Sequence, residues 1–169
     1  MDRLPAVKVY QPSHFSDHRG DLWTIWKEGD HNLKFNHDKV STSKKNVLRG
    51  IHGDDKSWKL VTCLYGEIYF VVVDPVSKIW DYVILSDQNK KMVLVPPRYG
   101  NGHCVISDHA VFMYKWSYHG SYPDVGDQFT MSWNDPEFNV EWPVDNPILS
   151  SRDKKQYLDF YERYNKEVK

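Results

Sequence analysis

Eight short stretches of the chain alternate apolar with polar residues or run through β-branched and aromatic positions: 23–26, 58–64, 67–73, 80–85, 92–95, 103–106, 110–116 and 128–133. A period of two over four to eight residues is the mark of a strand, and the spacers between these stretches are rich in Gly, Pro, Asp and Asn. Tyr65-Gly66 separates two runs by hairpin distance, Asp74-Pro75 ends another, and Asp108-His109 reads as a surface turn. Residues 96–102 carry two prolines and two glycines and read as irregular, and residues 15–20 read as a turn leading into the first tryptophan-bearing strand. The pattern predicts a closed or sandwiched antiparallel all-β protein, with a single domain over 1–169. A helical period appears only after Pro147, where Ser150 or Ser151 as cap and Leu158 and Tyr161 on one side of 154–164 predict a short C-terminal helix.

Composition narrows the class. With 169 residues the chain can build a core without disulfides or a structural metal, and 15% aromatics, including seven Trp and eleven Tyr, suit strands and aromatic-lined clefts. The net charge of -1 supplies no general field for nucleic acid or a membrane surface, so any anion site is local. No apolar run reaches membrane-spanning length, and Met1-Asp2-Arg3-Leu4-Pro5 lacks the apolar core of a secretion signal, so a cytoplasmic setting is expected. Cys63 and Cys104 form no CxxC and read as reduced, buried small residues.

The densest chemistry lies in Leu48-Arg49-Gly50-Ile51-His52 and, seven residues on, Lys59. Arg49 offers a rigid donor fork for a phosphate, His52 changes protonation near neutral pH, and Lys59 can offset charge developing on an oxygen. His37, His52, His103, His109 and His119 lack the His-x-His and later-His spacing of a metal-binding cupin, so no metal is expected.

Further motifs follow in order: Asp17-His18-Arg19-Gly20, Lys59-Leu60-Val61, Leu94-Val95-Pro96, Tyr114-Lys115, Trp133-Asn134-Asp135-Pro136, Glu141-Trp142-Pro143 and Leu149-Ser150-Ser151-Arg152-Asp153. With the Arg-Gly-Ile-His segment they make the chain resemble the dTDP-4-dehydrorhamnose 3,5-epimerase family of cupin-like nucleotide-sugar epimerases. The resemblance implies a β-jelly-roll homodimer that needs no added cofactor and acts on a nucleotide-diphospho-4-keto-6-deoxy sugar. It implies His52 as base, Asp153 orienting it, Lys59 on the enolate, and Arg49 with Arg19 on the diphosphate.

Two positions depart from the family pattern. Asn101 stands where the family has a loop histidine, and the neighbouring His103 is not its substitute; both are kept as substrate-binding candidates, with Tyr114. The family's acid tyrosine falls on Gly120 in a gap-free match, and a slightly longer segment between Tyr114 and Trp133 brings Tyr122 into that role. The Gly-Asn-Gly-His loop is similar to that of GDP-linked deoxy-heptose epimerases. Two other readings compete: a 3,4-ketoisomerase using the same acid-base set, and a non-catalytic sugar-nucleotide-binding jelly roll.

Overall fold

The computed structural model describes residues 1–154. The strands are β1 (Lys8–Tyr10), β2 (His14–Asp17), β3 (Gly20–Trp23), β4 (His37–Lys44), β5 (Leu48–Gly53), β6 (Trp58–Tyr65), β7 (Glu67–Asp74), β8 (Ile79–Ser86), β9 (Met92–Val95), β10 (Gly100–Val105), β11 (His109–Ser117) and β12 (Phe129–Thr130). One five-stranded sheet runs β1-β9-β6-β11-β4 and the other β12-β5-β10-β7-β8, while β2 and β3 form a separate hairpin. Every strand pair is antiparallel. Two facing antiparallel sheets give the expected jelly-roll-like architecture.

Three apolar layers explain why the central strands read as unbroken hydrophobic runs. Val61 and Cys63 of β6, Phe112 of β11 and Val93 of β9 meet Ile68, Phe70 and Val72 of β7 between the sheets. The alternate residues Val71 and Val73 point the other way, where Phe129, Met131 and Phe138 of the following segment cover them. On the outer face of the first sheet, Leu60, Met92 and Leu94 are covered by Ile25, Trp26, Leu33 and Phe35. Strands buried on both faces lose the polar half of their alternation. Cys63 and Cys104 are free and buried, and burial pushes both thiols up to about 11.

Several local expectations need correction. Tyr65-Gly66 joins no hairpin: β6 and β7 lie in different sheets, so the chain changes sheet there. Gly66 has φ +77°, and a Cβ on it would stand 2.1 Å from the His109 carbonyl oxygen, which leaves room for glycine alone. The strand expected at 23–26 retains only Trp23, and that at 128–133 only Phe129–Thr130. Residues 15–17, read as turn, belong to β2, and β10 begins at Gly100, inside the stretch read as irregular.

The short C-terminal helix is also corrected: among the described residues there is no α-helix, only two 3-10 turns at Asp30–Asn32 and Val125–Asp127. Where the helix was expected to start, the Ser150 hydroxyl donates to the Asp153 carboxylate at 2.8 Å and accepts its N–H at 3.2 Å. Lys154 N–H donates to the Ser150 carbonyl at 3.1 Å. The cap signature thus builds a single turn, and residues 155–164 of the expected helix lie outside the described residues. Among the described residues no helix is long and apolar enough to cross a membrane.

Candidate active site

A cavity of about 400 Å³ opens between the two sheets. The first sheet supplies a row of inward side chains. His37 of β4, Trp116 of β11 and Lys59 of β6 lie in register, and next to them come Lys39, Tyr114 and Val61. The second sheet supplies Arg49 and His52 from β5 and Asn101 and His103 from β10.

Strict alternation would send Arg49 and His52, three residues apart, to opposite faces. Gly50 resets it. Its φ is +125°, and the β5–β10 register shifts between Asn101 and His103, so both Arg49 and His52 line the cavity. A Cβ on Gly50 would come 2.5 Å from the Gly102 Cα, so the Arg-Gly and Asn-Gly pairs are the two sides of one close backbone approach.

His52 Nε2 lies 2.6 Å from Asp153 Oδ1. When Nε2 carries the proton and donates to the carboxylate, Nδ1 keeps the lone pair that a base needs. Burial holds His52 below its ordinary value, helped by the charges of Arg152 and Lys59 and opposed by Asp153. For Asp153, burial pulls upward, but the bonds and charge of His52, with Ser150 and Arg152, outweigh it and leave the group lowered. The pair therefore rests as neutral imidazole and carboxylate.

Lys59 is buried, with Nζ 3.3 Å from Asp54 Oδ2 and 5.0 Å from the Trp116 ring centroid. Burial lowers its ammonium from the ordinary value, and Asp54 opposes that. Arg49 is exposed where it lines the cavity and is steadied by the Ser43 hydroxyl at 3.0 Å from its Nε. His103 is buried at the cavity wall, and burial, then Arg49, pushes it down to about 3. Burial raises Tyr114. The Asn101 amide donates to the His52 carbonyl at 3.5 Å. Tyr122 stacks on His37 at 4.4 Å and on Trp116 at 5.1 Å. The His103 Nε2 and Tyr122 hydroxyl atoms are buried without a hydrogen-bond partner among the described residues.

Eight of the nine candidates thus line one cavity. Arg19 does not: it sits on the β2–β3 hairpin, 79% exposed at its side chain and paired with Asp17. Sequence reading overlooked Lys39, Asp54 and Arg152 as site residues. Arg152 lines the cavity and donates to the Thr130 hydroxyl at 3.0 Å and to the side-chain oxygen Oε1 of Gln128 at 3.3 Å. No group of three or more His, Cys, Asp or Glu side chains suited to a metal occurs among the described residues.

The model of the dTDP-4-dehydrorhamnose 3,5-epimerase family matches residues 2–159. The chain belongs to that family. A dTDP-4-dehydrorhamnose 3,5-epimerase of Shigella flexneri is 34% identical over 165 residues, 89% of this chain and 89% of its own. The crystal structure of a dTDP-6-deoxy-D-glucose-3,5-epimerase from Legionella pneumophila Philadelphia 1 in complex with dTDP-4-keto-L-rhamnose is similar to this fold. Its TM-score is 0.80 at 30% identity, covering 87% of this chain and 84% of that one. A 3'-monoepimerase from Streptomyces bikiniensis in complex with dTDP-quinovose has a TM-score of 0.83 at 25% identity, over 94% and 86% of the two chains. Asn101, in register with His52, and Tyr122, on the segment that returns after β11, both lie on the cavity wall.

Proposed function

We propose that this protein inverts C3, C5 or both in a nucleotide-diphospho-4-keto-6-deoxy sugar. The C4 ketone makes the neighbouring C–H bonds acidic, so a base can remove a proton and leave an enolate. His52 is that base, neutral at rest and oriented through Nε2 by Asp153. Lys59 places positive charge against the enolate oxygen in a buried setting where it acts strongly. Tyr122 returns a proton to the opposite face, and Arg49 takes the diphosphate through its fork. Asn101, His103 and Tyr114 meet the sugar. The observation that carries this reading is the 2.6 Å His52–Asp153 contact in the same cavity as a buried lysine, in a chain of this family.

A homodimer belongs to the same reading. The β2–β3 hairpin exposes Phe15 at 77% and Leu22 at 73%, apolar surface that a second copy would cover. Arg19 lies on that hairpin, so it meets a diphosphate only across such an interface.

The test is proton NMR in D2O with dTDP-4-keto-6-deoxyglucose and, in parallel, GDP-linked 4-keto-6-deoxyheptose. Loss of the C3 or C5 signal with inversion, abolished in His52→Ala, is the expected result, and the substrate that reacts identifies the carrier. A carbonyl that moves to C3 without inversion would replace this reading with ketoisomerisation; no reaction with either compound would replace it with binding.

A further inference from the structure

Strand β4 lacks the apolar inner face usual in a sheet. Its inward residues are His37, Lys39, Ser41 and Ser43, while Val40 faces out at 59% exposure. A strand that points polar groups inward and an aliphatic outward is lining a polar cavity rather than a core, and Lys39 is the cation on that inner face. Its Nζ lies 4.4 Å from the Tyr122 ring centroid and 5.0 Å from that of Trp116, so the ammonium rests on the stack formed by the two rings. Burial lowers this ammonium from its ordinary value and the Asp124 carboxylate opposes that.

We propose that Lys39 is a positioning residue for the return of the proton: its ammonium over the Tyr122 ring stabilises the phenolate that Tyr122 becomes when it acts as acid. This rests on the epimerase reading above. In that step the Tyr122 O–H bond breaks, the enolate electron pair forms the new C–H bond, and the C4 ketone is restored. Tyr122 is left as phenolate and is reprotonated by solvent; His52 releases its proton to solvent. The neutral phenol gains a modest cation–π attraction from Lys39, whereas the phenolate gains a full charge–charge attraction. Lys39 therefore favours the state reached as the proton leaves, which is the differential stabilisation that accelerates a step.

The two half-reactions can be read separately in D2O. Proton removal by His52 followed by return from His52 gives deuterium in substrate of unchanged configuration; return from Tyr122 gives deuterium in the inverted product. The assay follows both species in one progress curve with dTDP-4-keto-6-deoxyglucose and GDP-linked 4-keto-6-deoxyheptose, for wild type, Lys39→Met, Lys39→Arg, Tyr122→Phe and the Lys39→Met/Tyr122→Phe pair. Lys39→Met is expected to raise the ratio of retained to inverted deuterated sugar about tenfold or more, within the range that general-acid groups contribute. Lys39→Arg restores the ratio, and adding Lys39→Met to Tyr122→Phe changes nothing further. A partial loss of folded protein or weaker substrate binding slows both species equally and so cannot raise the ratio. An unchanged ratio in Lys39→Met, or an additive effect in the pair, overturns the role of Lys39 while leaving His52-dependent exchange intact. Absence of exchange in the wild-type protein overturns the epimerase reading and this role with it.

Discussion

Replacing Asp54 by Asn would remove a charge and keep a shape, which isolates what holds Lys59 in its charged form. Asp54 and Lys59 are 2% and 4% exposed. Asp54 Oδ1 accepts the N–H groups of Lys56 at 3.1 Å and Ser57 at 2.7 Å, which an Asn oxygen can also do. Oδ2 stands 3.3 Å from Lys59 Nζ as an ion pair without an aligned hydrogen bond. At that separation and an effective dielectric of about 20, the attraction is on the order of 5 kcal/mol before desolvation. Leaving one buried charge without its partner costs about 3–5 kcal/mol net. For a chain of this size that lowers Tm by on the order of 10 °C.

The sign with pH follows from Lys59. Burial already lowers its ammonium below the unfolded value, so in the interval between the two the unfolded chain binds more protons and stability rises with pH. Without Asp54 the folded-state value falls further. The Asp54→Asn deficit is therefore greatest at a pH below the variant's folded-state value for Lys59 and shrinks at a pH above it, because the variant can release the Lys59 proton. The alkaline limb of kcat/KM moves to lower pH for the same reason. Thermal unfolding at both pH values and a rate profile measure the two effects. A deficit equal at both, with the alkaline limb unmoved, would refute the claim that Asp54 sustains the charge on Lys59.

Three further outcomes follow from other parts of the molecule. Asp153→Asn leaves His52 without its charged partner and removes the carboxylate that selects the Nε2–H tautomer, so kcat should fall by about 10²- to 10⁴-fold with the acidic limb displaced to lower pH; an unchanged kcat profile would rule out the dyad. In the wild-type protein, the stability that Asp153 contributes is present above its unfolded value and is lost as pH falls through its lowered folded value. Phe15→Asp with Leu22→Asp should convert a dimer to a monomer in sedimentation, and a wild-type protein that already sediments as a monomer would remove the interface from the reading.

How far the sequence disclosed all this depended on which side of each strand was apolar. The runs at 58–64 and 67–73 announced themselves because both faces of those strands are buried, those at 80–85 and 110–116 by their β-branched and aromatic residues, and all four are strands. Hydrophobicity does not say which strand pairs with which, so Tyr65-Gly66 looked like a hairpin although Gly66 carries the chain from one sheet to the other. The helix was expected from a cap signature that the fold uses for one turn, and that turn delivers Asp153 to His52.

The site was readable as a set of residues rather than as an arrangement. Arg49, His52, Lys59 and Asp153 stood out by motif, yet nothing local shows that Gly50 turns two residues three apart onto one wall, or that Asp54 turns back onto Lys59. Strand β4 was missed because its alternation carries no apolar face. The same feature makes it informative. A period of two in which His, Lys and Ser occupy the inward positions costs burial energy unless those groups meet something polar. In this cavity Lys39 meets the aromatic stack of Trp116 and Tyr122, so a polar strand that a core-seeking reading discards is where a wall of the cavity is written.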